Sequence, residues 1–261
     1  GFPLKSGVKL YGGFKGDETE LDQRQTDGKA YRMSYRTVLT GDIKRNDSPD
    51  VQYMIFPGNT KRDDNAIHVL TLDLNPSNNS NSLPTVVNGI TIIRGHATGT
   101  LPTGTSISDP DKGGGIYVTC SATPSISTPA FRIEQCFFIG NYATQGGGLY
   151  VSPHATHTEN IVNRCGFFNN AAGERVDVNN QGGAIWLAGK GKVVNSVVFN
   201  NENGGVWLGD NDNQVINTTI PRNTGPAVDG AGKYVWNTVV WGNPSPYSTN
   251  SKPAFHSSAL Q

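Results

Sequence analysis

The sequence has little net charge, few cysteines and no long apolar run, and each shortage excludes a class of protein. Lysine plus arginine and aspartate plus glutamate both number 21 among 261 residues, so the formal net charge is zero. A nucleic-acid-binding protein needs a basic face, so we expect no nucleic-acid partner. No apolar stretch approaches the ~20 residues that a bilayer-spanning helix requires. The sequence therefore predicts neither a nucleic-acid-binding protein nor a helical membrane protein.

Three cysteines are too few for a disulfide framework. Cys136 and Cys165 each stand five residues before an asparagine that recurs along the chain. This spacing places them in one inward column on neighbouring turns of a repeat, and it favours a buried pair of small side chains. A disulfide or a metal pair is the alternative. Cys120 has no matching partner.

The chain also lacks an initiating methionine and a secretory signal, since it begins at Gly1. Its end, NPSPYSTNSKPAFHSSALQ, begins a turn and a strand and stops in the middle of a coil. We therefore expect a piece of a longer protein that is truncated at both ends.

Glycine, in contrast, is abundant, with 32 residues, and it opens each unit of a repeat. The openings GGGIY, GGGLY, GGAIW, NGGVW and GPAVD begin at 113, 146, 182, 203 and 225, so the steps are 33, 36, 21 and 22 residues. Each unit closes on an asparagine, at 141, 170, 201, 223 and 243. Two markers that recur in the same order at these periods indicate a solenoid.

Apolar and other residues alternate with a period of two inside each unit, which favours strands. In IWL at 185–187 and VWL at 206–208, the aliphatic side chains point inward and the tryptophan points outward. Short strands joined by turns rich in glycine and asparagine form one rung of a parallel β-helix. We expect one all-β domain over 1–261, with irregular coils and loops over 1–67 and five regular coils over 113–245. His68 is expected to be an outward-facing strand residue.

Two columns follow from this register. The aliphatic residues after each glycine opening should form one inward column, and the closing asparagines should form a ladder of side-chain amides that lines the turn. The inward column comprises Ile116, Leu149, Ile185, Val206 and Val228. The ladder comprises Asn141, Asn170, Asn201, Asn223 and Asn243.

The glycine openings and the closing F-x-x-N motifs resemble the repeats of the polymorphic outer-membrane-protein (autotransporter adhesin) family. SGVKLYGGFKGDETELDQR, TVLTGDI, NGITIIRG and NTVVWGN resemble bacterial surface proteins of the choice-of-anchor type. The resemblance implies a single-stranded, right-handed parallel β-helix of the pectate-lyase-like superfold. It further implies a secreted bacterial protein, anchored to the cell surface through a missing segment.

The function that this resemblance favours is an extracellular binding or adhesive module that recognises glycans or host and environmental surfaces. A polysaccharide lyase or glycoside hydrolase of the β-helix superfold is the second hypothesis, and a structural stalk is the third. A glycosidase needs two facing carboxylates. The candidates are Glu174, Asp177, Glu202, Asp210, Asp212 and Asp229, and none forms a recognisable motif, so no catalytic residue is assigned.

The strongest candidate site is a column of aromatic residues, because the residue after each inward aliphatic is aromatic in four consecutive units. This column comprises Tyr117, Tyr150, Trp186 and Trp207, and it ends on Asp229. Stacked rings can stabilise neighbouring strands. The alternative is an open apolar strip on which sugar rings stack, with Asp229 facing a polar group of the ligand. Trp186 and Trp207 are the expected anchors because little sequence is available to cover them.

The segment GDNDNQ offers the carboxylates of Asp210 and Asp212 as weak candidates for calcium. A hydrogen-bonded turn is the favoured interpretation. We therefore expect no cofactor and no metal.

Overall fold

The computed structural model describes residues 1–24, 35–47, 62–75, 83–99, 109–120, 130–173, 182–231, 234–247 and 253–261. Their strands follow one another in successive coils. The first two coils contain β1 (Phe2–Lys5), β2 (Lys9–Tyr11), β3 (Thr37–Thr40), β4 (Leu70–Asp73), β5 (Thr85–Asn88), β6 (Ile90–Ile93) and β7 (His96–Ala97). The next two contain β8 (Ile116–Thr119), β9 (Phe131–Glu134), β10 (Phe137–Ile139), β11 (Tyr142–Ala143), β12 (Leu149–Val151), β13 (Ile161–Asn163), β14 (Gly166–Phe168) and β15 (Ala171–Ala172).

The later coils are shorter. They contain β16 (Ile185–Leu187), β17 (Lys192–Val194), β18 (Val197–Phe199), β19 (Val206–Leu208), β20 (Gln214–Ile216), β21 (Thr219–Pro221), β22 (Val228–Gly230), β23 (Tyr234–Trp236), β24 (Val239–Trp241), β25 (Ala254–His256) and β26 (Ala259–Leu260). A single 3-10 turn, Leu21–Gln23, is the helical element of the described residues.

The coils stack so that each strand pairs with the equivalent strand one coil away. Face 1 is the sheet β1-β4-β8-β12-β16-β19-β22, face 2 is β2-β5-β9-β13-β17-β20-β23-β25, and face 3 is β3-β6-β10-β14-β18-β21-β24-β26. A short face 4 is β7-β11-β15. The strand pairs within these faces are parallel, as in β12 with β16 and β14 with β18. The chain is therefore an all-β parallel β-helix, as the sequence predicted.

The core is a set of inward columns that run the length of the coils. Ile116 pairs with Leu149, Leu149 with Ile185, Ile185 with Val206, and Val206 with Val228. All five side chains are at most 1% exposed. The predicted inward column and its register are confirmed.

The glycine openings are required by the close approach of neighbouring coils. A Cβ atom on Gly147 would lie 2.2 Å from the carbonyl oxygen of Ala171. Gly146 and Gly182 precede the strands with positive φ values of 63° and 51°, which glycine adopts at little cost. Side chains at these positions would push the coils apart.

The closing asparagines form the predicted ladder. Asn201 donates from its backbone N and its Nδ2 to Oδ1 of Asn223, each at 2.9 Å. Its own Oδ1 accepts the same pair of bonds from Asn170, at 2.9 and 3.0 Å. The same double contact joins Asn141 to Asn170 and Asn223 to Asn243. Nδ2 of Asn201 also donates to the Phe167 carbonyl, so buried amides bind three successive coils together.

Cys136 and Cys165 are free and buried on neighbouring coils, as the favoured interpretation predicted. Each thiol lies near the carbonyl two residues before it, at 3.2 Å for Cys136 and 3.4 Å for Cys165. Ser196, Thr218, Thr238 and Ser258 continue the column and donate in the same way. The thiols therefore occupy a structural position that hydroxyl groups fill on other coils.

Among the described residues, no helix is long and apolar enough to span a bilayer.

Candidate functional site

Face 1 brings the predicted aromatic column together. Tyr117 pairs with Tyr150, Tyr150 with Trp186, and Trp186 with Trp207 across adjacent parallel strands. The ring centroids lie 5.8, 6.5 and 3.8 Å apart, and interplanar angles of 28°, 18° and 15° make each pair stacked. Asp229 follows Trp207 on β22. Register alone thus converts a sequence repeat into a continuous stack of rings.

His68 extends this stack at its other end, which corrects the expectation of an outward-facing strand residue. It lies before β4, is 5% exposed, and stacks on Tyr117 at 4.8 Å. Its Nδ1 donates to the Gly113 carbonyl at 3.1 Å. We call His68, Tyr117, Tyr150, Trp186 and Trp207 the aromatic stack.

The segment 109–113 covers part of the aromatic stack. The hydroxyl of Tyr117 donates to the Asp109 carboxylate at 2.5 Å, and Lys112 pairs with the same carboxylate at 2.6 Å. The Lys112 ammonium also lies 5.2 Å from the ring centroid of Tyr150, within the range of a cation–π interaction. Burial, followed by the hydrogen bond to Asp109, raises the pKa of Tyr117, and burial raises the pKa of Tyr150. Both phenols are therefore held neutral.

The stack is not an open strip, and the expectation that both tryptophans lie uncovered is wrong for Trp186. Tyr117, Tyr150 and Trp186 are only 3%, 4% and 7% exposed, because the rings of neighbouring coils cover both faces of each ring. Asp229 is also 7% exposed, and its Oδ1 accepts a hydrogen bond from its neighbour Gly230. Trp207 is half-buried and stacks on Trp186. A ligand role for these five residues stays a prediction, with Trp207 the most accessible ring.

The segment GDNDNQ forms the hydrogen-bonded turn between β19 and β20 that the sequence favoured. Oδ1 of Asp210 accepts from the Asp212 backbone at 2.8 Å, and the Asp210 carbonyl accepts from the Asn213 backbone. Asp212 forms an ion pair with Lys190 at 2.6 Å. Among the described residues, no three His, Cys, Asp or Glu side chains are arranged to hold a metal ion.

The remaining acidic candidates do not form a group with these two. Glu174 and Asp177 lie outside the described residues. Glu202 bridges to Ala171 beside face 4, whereas Asp229 lies in β22 on face 1. We therefore assign no carboxylate pair to a glycosidase mechanism.

A further aromatic group lies exposed on face 2 and was missed by the sequence analysis. Tyr234 and Trp236 point outward from β23 and are 37% and 41% exposed. His256 pairs with Trp236 in register from β25 and stacks on it at 4.2 Å and 18°. Tyr234 lies 6.0 Å from both rings. We call these three residues the aromatic platform.

Two further details describe the surroundings of the aromatic platform. Nε2 of His256 is buried and has no hydrogen-bond partner among the described residues. Ala254 stands beside Tyr234 on the next strand and is too small to cover the phenol ring. The sequence signal was the alternation Y-V-W, in which Val235 is fully buried between two outward rings.

A fourth tryptophan lies on face 3. Trp241 ends β24, is 41% exposed, and carries the Arg222 guanidinium 4.7 Å from its ring centroid.

No protein-family model matches the chain, and no curated protein matches it. Among solved structures, tailspike protein 2 of the Escherichia coli O157:H7 bacteriophage CAB120 is similar, with 13% identity and a TM-score of 0.29. The similarity covers 68% of this chain and 28% of the tailspike chain, so the chain spans less than a third of that protein. A TM-score this low carries no argument about function. The parallel β-helix is established by the strand register alone.

Proposed function

We propose that the chain is an extracellular carbohydrate-binding module carried on a rigid parallel β-helix. The observation that carries the proposal is the aromatic platform, in which the rings of Tyr234 and Trp236 are exposed on a regular sheet and His256 stacks on Trp236. The resemblance to bacterial surface proteins in the sequence supports the extracellular location.

The chemistry of the platform suits a sugar. Pyranose rings have apolar C–H faces that pack on aromatic rings, and their hydroxyl groups need hydrogen-bond partners. Small-ligand sites combine such apolar surface with a few placed polar groups. Trp236 and Tyr234 supply the apolar surface, and their indole N–H and phenol groups supply polar atoms at the edges of the rings.

The scaffold keeps the platform in place before a ligand arrives. Val235, between the two outward rings, is fully buried, and β23 pairs with strands on both sides. Rings held by a regular sheet lose little conformational freedom on binding, which favours affinity. The half-buried Trp207 on face 1 is a further candidate contact, as the sequence predicted.

The test is a glycan-array screen, followed by titration of each glycan that binds. Trp236→Ala should weaken binding about 10- to 100-fold, as expected for an aromatic hot spot. Trp241→Ala is the matched control, because Trp241 has the same side chain and the same 41% exposure but lies on face 3. It should bind like the wild type.

An equal loss of glycan affinity in both variants would contradict the proposal, and so would an unchanged affinity in Trp236→Ala. A screen without any binding glycan would also contradict it. Product analysis on each bound polysaccharide separates binding from catalysis. Release of shorter chains would favour the lyase or glycosidase hypothesis.

A further inference from the structure

The outward side of face 3 is apolar along almost its whole length. In the strands of this face the middle residue is buried, and its two neighbours face outward, as in β10, β14 and β18. An ordinary half-exposed sheet would place polar residues at these outward positions. One outward column instead comprises Ile93, Ile139, Phe168, Phe199, Pro221 and Trp241.

The second outward column, beside the first, is also apolar except at Thr219 and at Thr91, which is buried. Phe137 stacks on Phe168 at 6.1 Å, and a Cβ on Gly166 would collide with that ring. Val197, Thr219 and Val239 continue the column, and the last two are exposed. None of the outward residues in the eight strands of face 3 is charged. Face 2, in contrast, carries Lys9, Arg132, Glu134 and Lys192.

Polar corners border this apolar area. Asn195, Asn217 and Asn237 adopt positive φ at one corner, and their side-chain amides hydrogen-bond to one another at 3.3 and 2.7 Å. Asn169 and Asn200 also adopt positive φ at the other corner, where Nδ2 of Asn200 donates to Oδ1 of Asn169 at 2.6 Å. An apolar centre with a polar rim is the usual anatomy of a protein–protein interface.

The size of the apolar area on face 3 is consistent with weak association of two protein molecules. Eight strands about 4.8 Å apart extend over roughly 34 Å, and two outward residues with their corners span roughly 16 Å. The flat area is therefore about 500 Å² per copy and about 1,000 Å² for a pair. This value lies at the lower limit for a specific interface and in the range of transient ones.

The occupant that suits this area is a second copy of the chain. The strands of the area carry no outward charge, and the exposed guanidinium groups of Arg164 and Arg222 lie at its corners, so the centre of the area suits an apolar partner surface. Each coil contributes one residue to each of the two outward columns. A second copy related by a two-fold axis would therefore contact apolar side chains along the whole interface. Such a contact is isologous and closes at two chains.

We propose that face 3 is a self-association surface through which two copies of the chain pair by a two-fold axis. This pairing would leave the aromatic platform on face 2 free, and it would give the assembly two such platforms.

Sedimentation velocity over a concentration series up to about 1 mM tests the proposal, because interfaces of this size are weak. The wild type should pass from monomer to dimer as its concentration rises. Thr219→Glu places a charge on an exposed position of face 3, and pairing would require its desolvation. This variant should stay monomeric, or dimerise at least tenfold more weakly.

Gln214→Glu is the matched control, since it adds the same charge to face 2 of the same coil. It should dimerise like the wild type. Thr219→Lys is a second variant, because a charge of either sign should prevent pairing. Melting curves check that all variants fold, which exposed substitutions normally permit.

A wild type that remains monomeric throughout the series would overturn the proposal. Equal dimerisation of Thr219→Glu and Gln214→Glu would also overturn it. Flotation with uncharged phosphatidylcholine vesicles examines the competing occupant. A monomeric wild type that floats, while Thr219→Glu does not, would assign face 3 to a membrane surface instead.

Discussion

Single side chains hold the coils of this protein in register, and the buried amides of the asparagine ladder are the clearest case. Each of Asn141, Asn170 and Asn201 is fully buried, and each uses both ends of its side chain. Buried polar groups are costly unless they are paired, so the ladder specifies one stacking register. A sequence repeat of asparagine thereby becomes a structural restraint.

Replacing Asn201 by leucine should destabilise the fold by about 2–4 kcal/mol. The substitution strands the Asn170 donors and the Phe167 carbonyl, and each buried unpaired group costs roughly 1–3 kcal/mol. Denaturant unfolding measures the change. Asn200→Gly, which removes the exposed Asn200–Asn169 amide contact but suits the positive φ, is the control and should cost less than about 1 kcal/mol. Equal losses in both variants would show that the inward amide has no special role.

Alkaline pH should weaken the fold through its buried phenols. Burial raises the pKa of Tyr117 above the ordinary value of 10.0, and burial also raises the pKa of Tyr150 and Tyr142. The folded protein keeps these protons where the unfolded chain loses them. The free energy of unfolding should therefore fall as the pH rises above about 10.

Tyr117→Phe removes one of these ionisations, so its stability should fall less steeply above about pH 10. Urea unfolding at a series of pH values measures both slopes. Burial also raises the pKa of Cys165 and Cys120, which adds a decline from about pH 9 in both proteins alike. Identical slopes for the variant and the wild type would contradict this assignment.

At the scale of strands, the same kind of residue has different roles on different faces. The aromatic stack on face 1 is mostly buried, and its rings cover one another. The aromatic platform on face 2 and Trp241 on face 3 are exposed. The degree of burial, rather than the residue type, therefore distinguishes aromatic residues that stabilise the fold from those available at the surface.

Trp186→Ala should accordingly destabilise the protein by about 3–5 kcal/mol, as for other large-to-small changes at buried aromatic positions. The sequence predicted an uncovered tryptophan at this position, whereas Trp186 is only 7% exposed. Trp241→Ala should lower stability by about 1 kcal/mol or less, because the ring is exposed. Thermal unfolding of the two variants is the measurement, and a Trp186→Ala midpoint at the wild-type value would be the contrary result.

The sequence predicted the elements that carry its two markers. A glycine-containing opening two or three residues ahead of the inward aliphatic residue, and a closing asparagine, recur in all five units. The register of face 1 and the asparagine ladder could therefore be predicted from the sequence. The aromatic platform could not be predicted in this way, because the outward positions of face 2 have no recurring residue type. One outward column, for example, contains Lys192, Gln214 and Tyr234. Burial of Trp186 also depends on its neighbours in space, which a single sequence does not show.

At the scale of the molecule, the protein is a stack of coils with distinct outer faces. Face 1 is covered by its own rings, face 2 presents the aromatic platform, and face 3 presents an uncharged apolar surface. In a solenoid each coil contacts only its neighbours, so the faces can acquire separate roles without disturbing a common core. We assign the proposed carbohydrate site to face 2.

Fluorine NMR of protein labelled with 5-fluorotryptophan tests that assignment most directly, since the chain has four tryptophans and each gives one resonance. Single Trp→Phe variants assign the resonances. Addition of a glycan that binds should shift the Trp236 resonance and leave those of Trp186 and Trp241 in place. Binding that leaves Trp236 unmoved, or that shifts Trp186 instead, would contradict the assignment of the aromatic platform as the carbohydrate site.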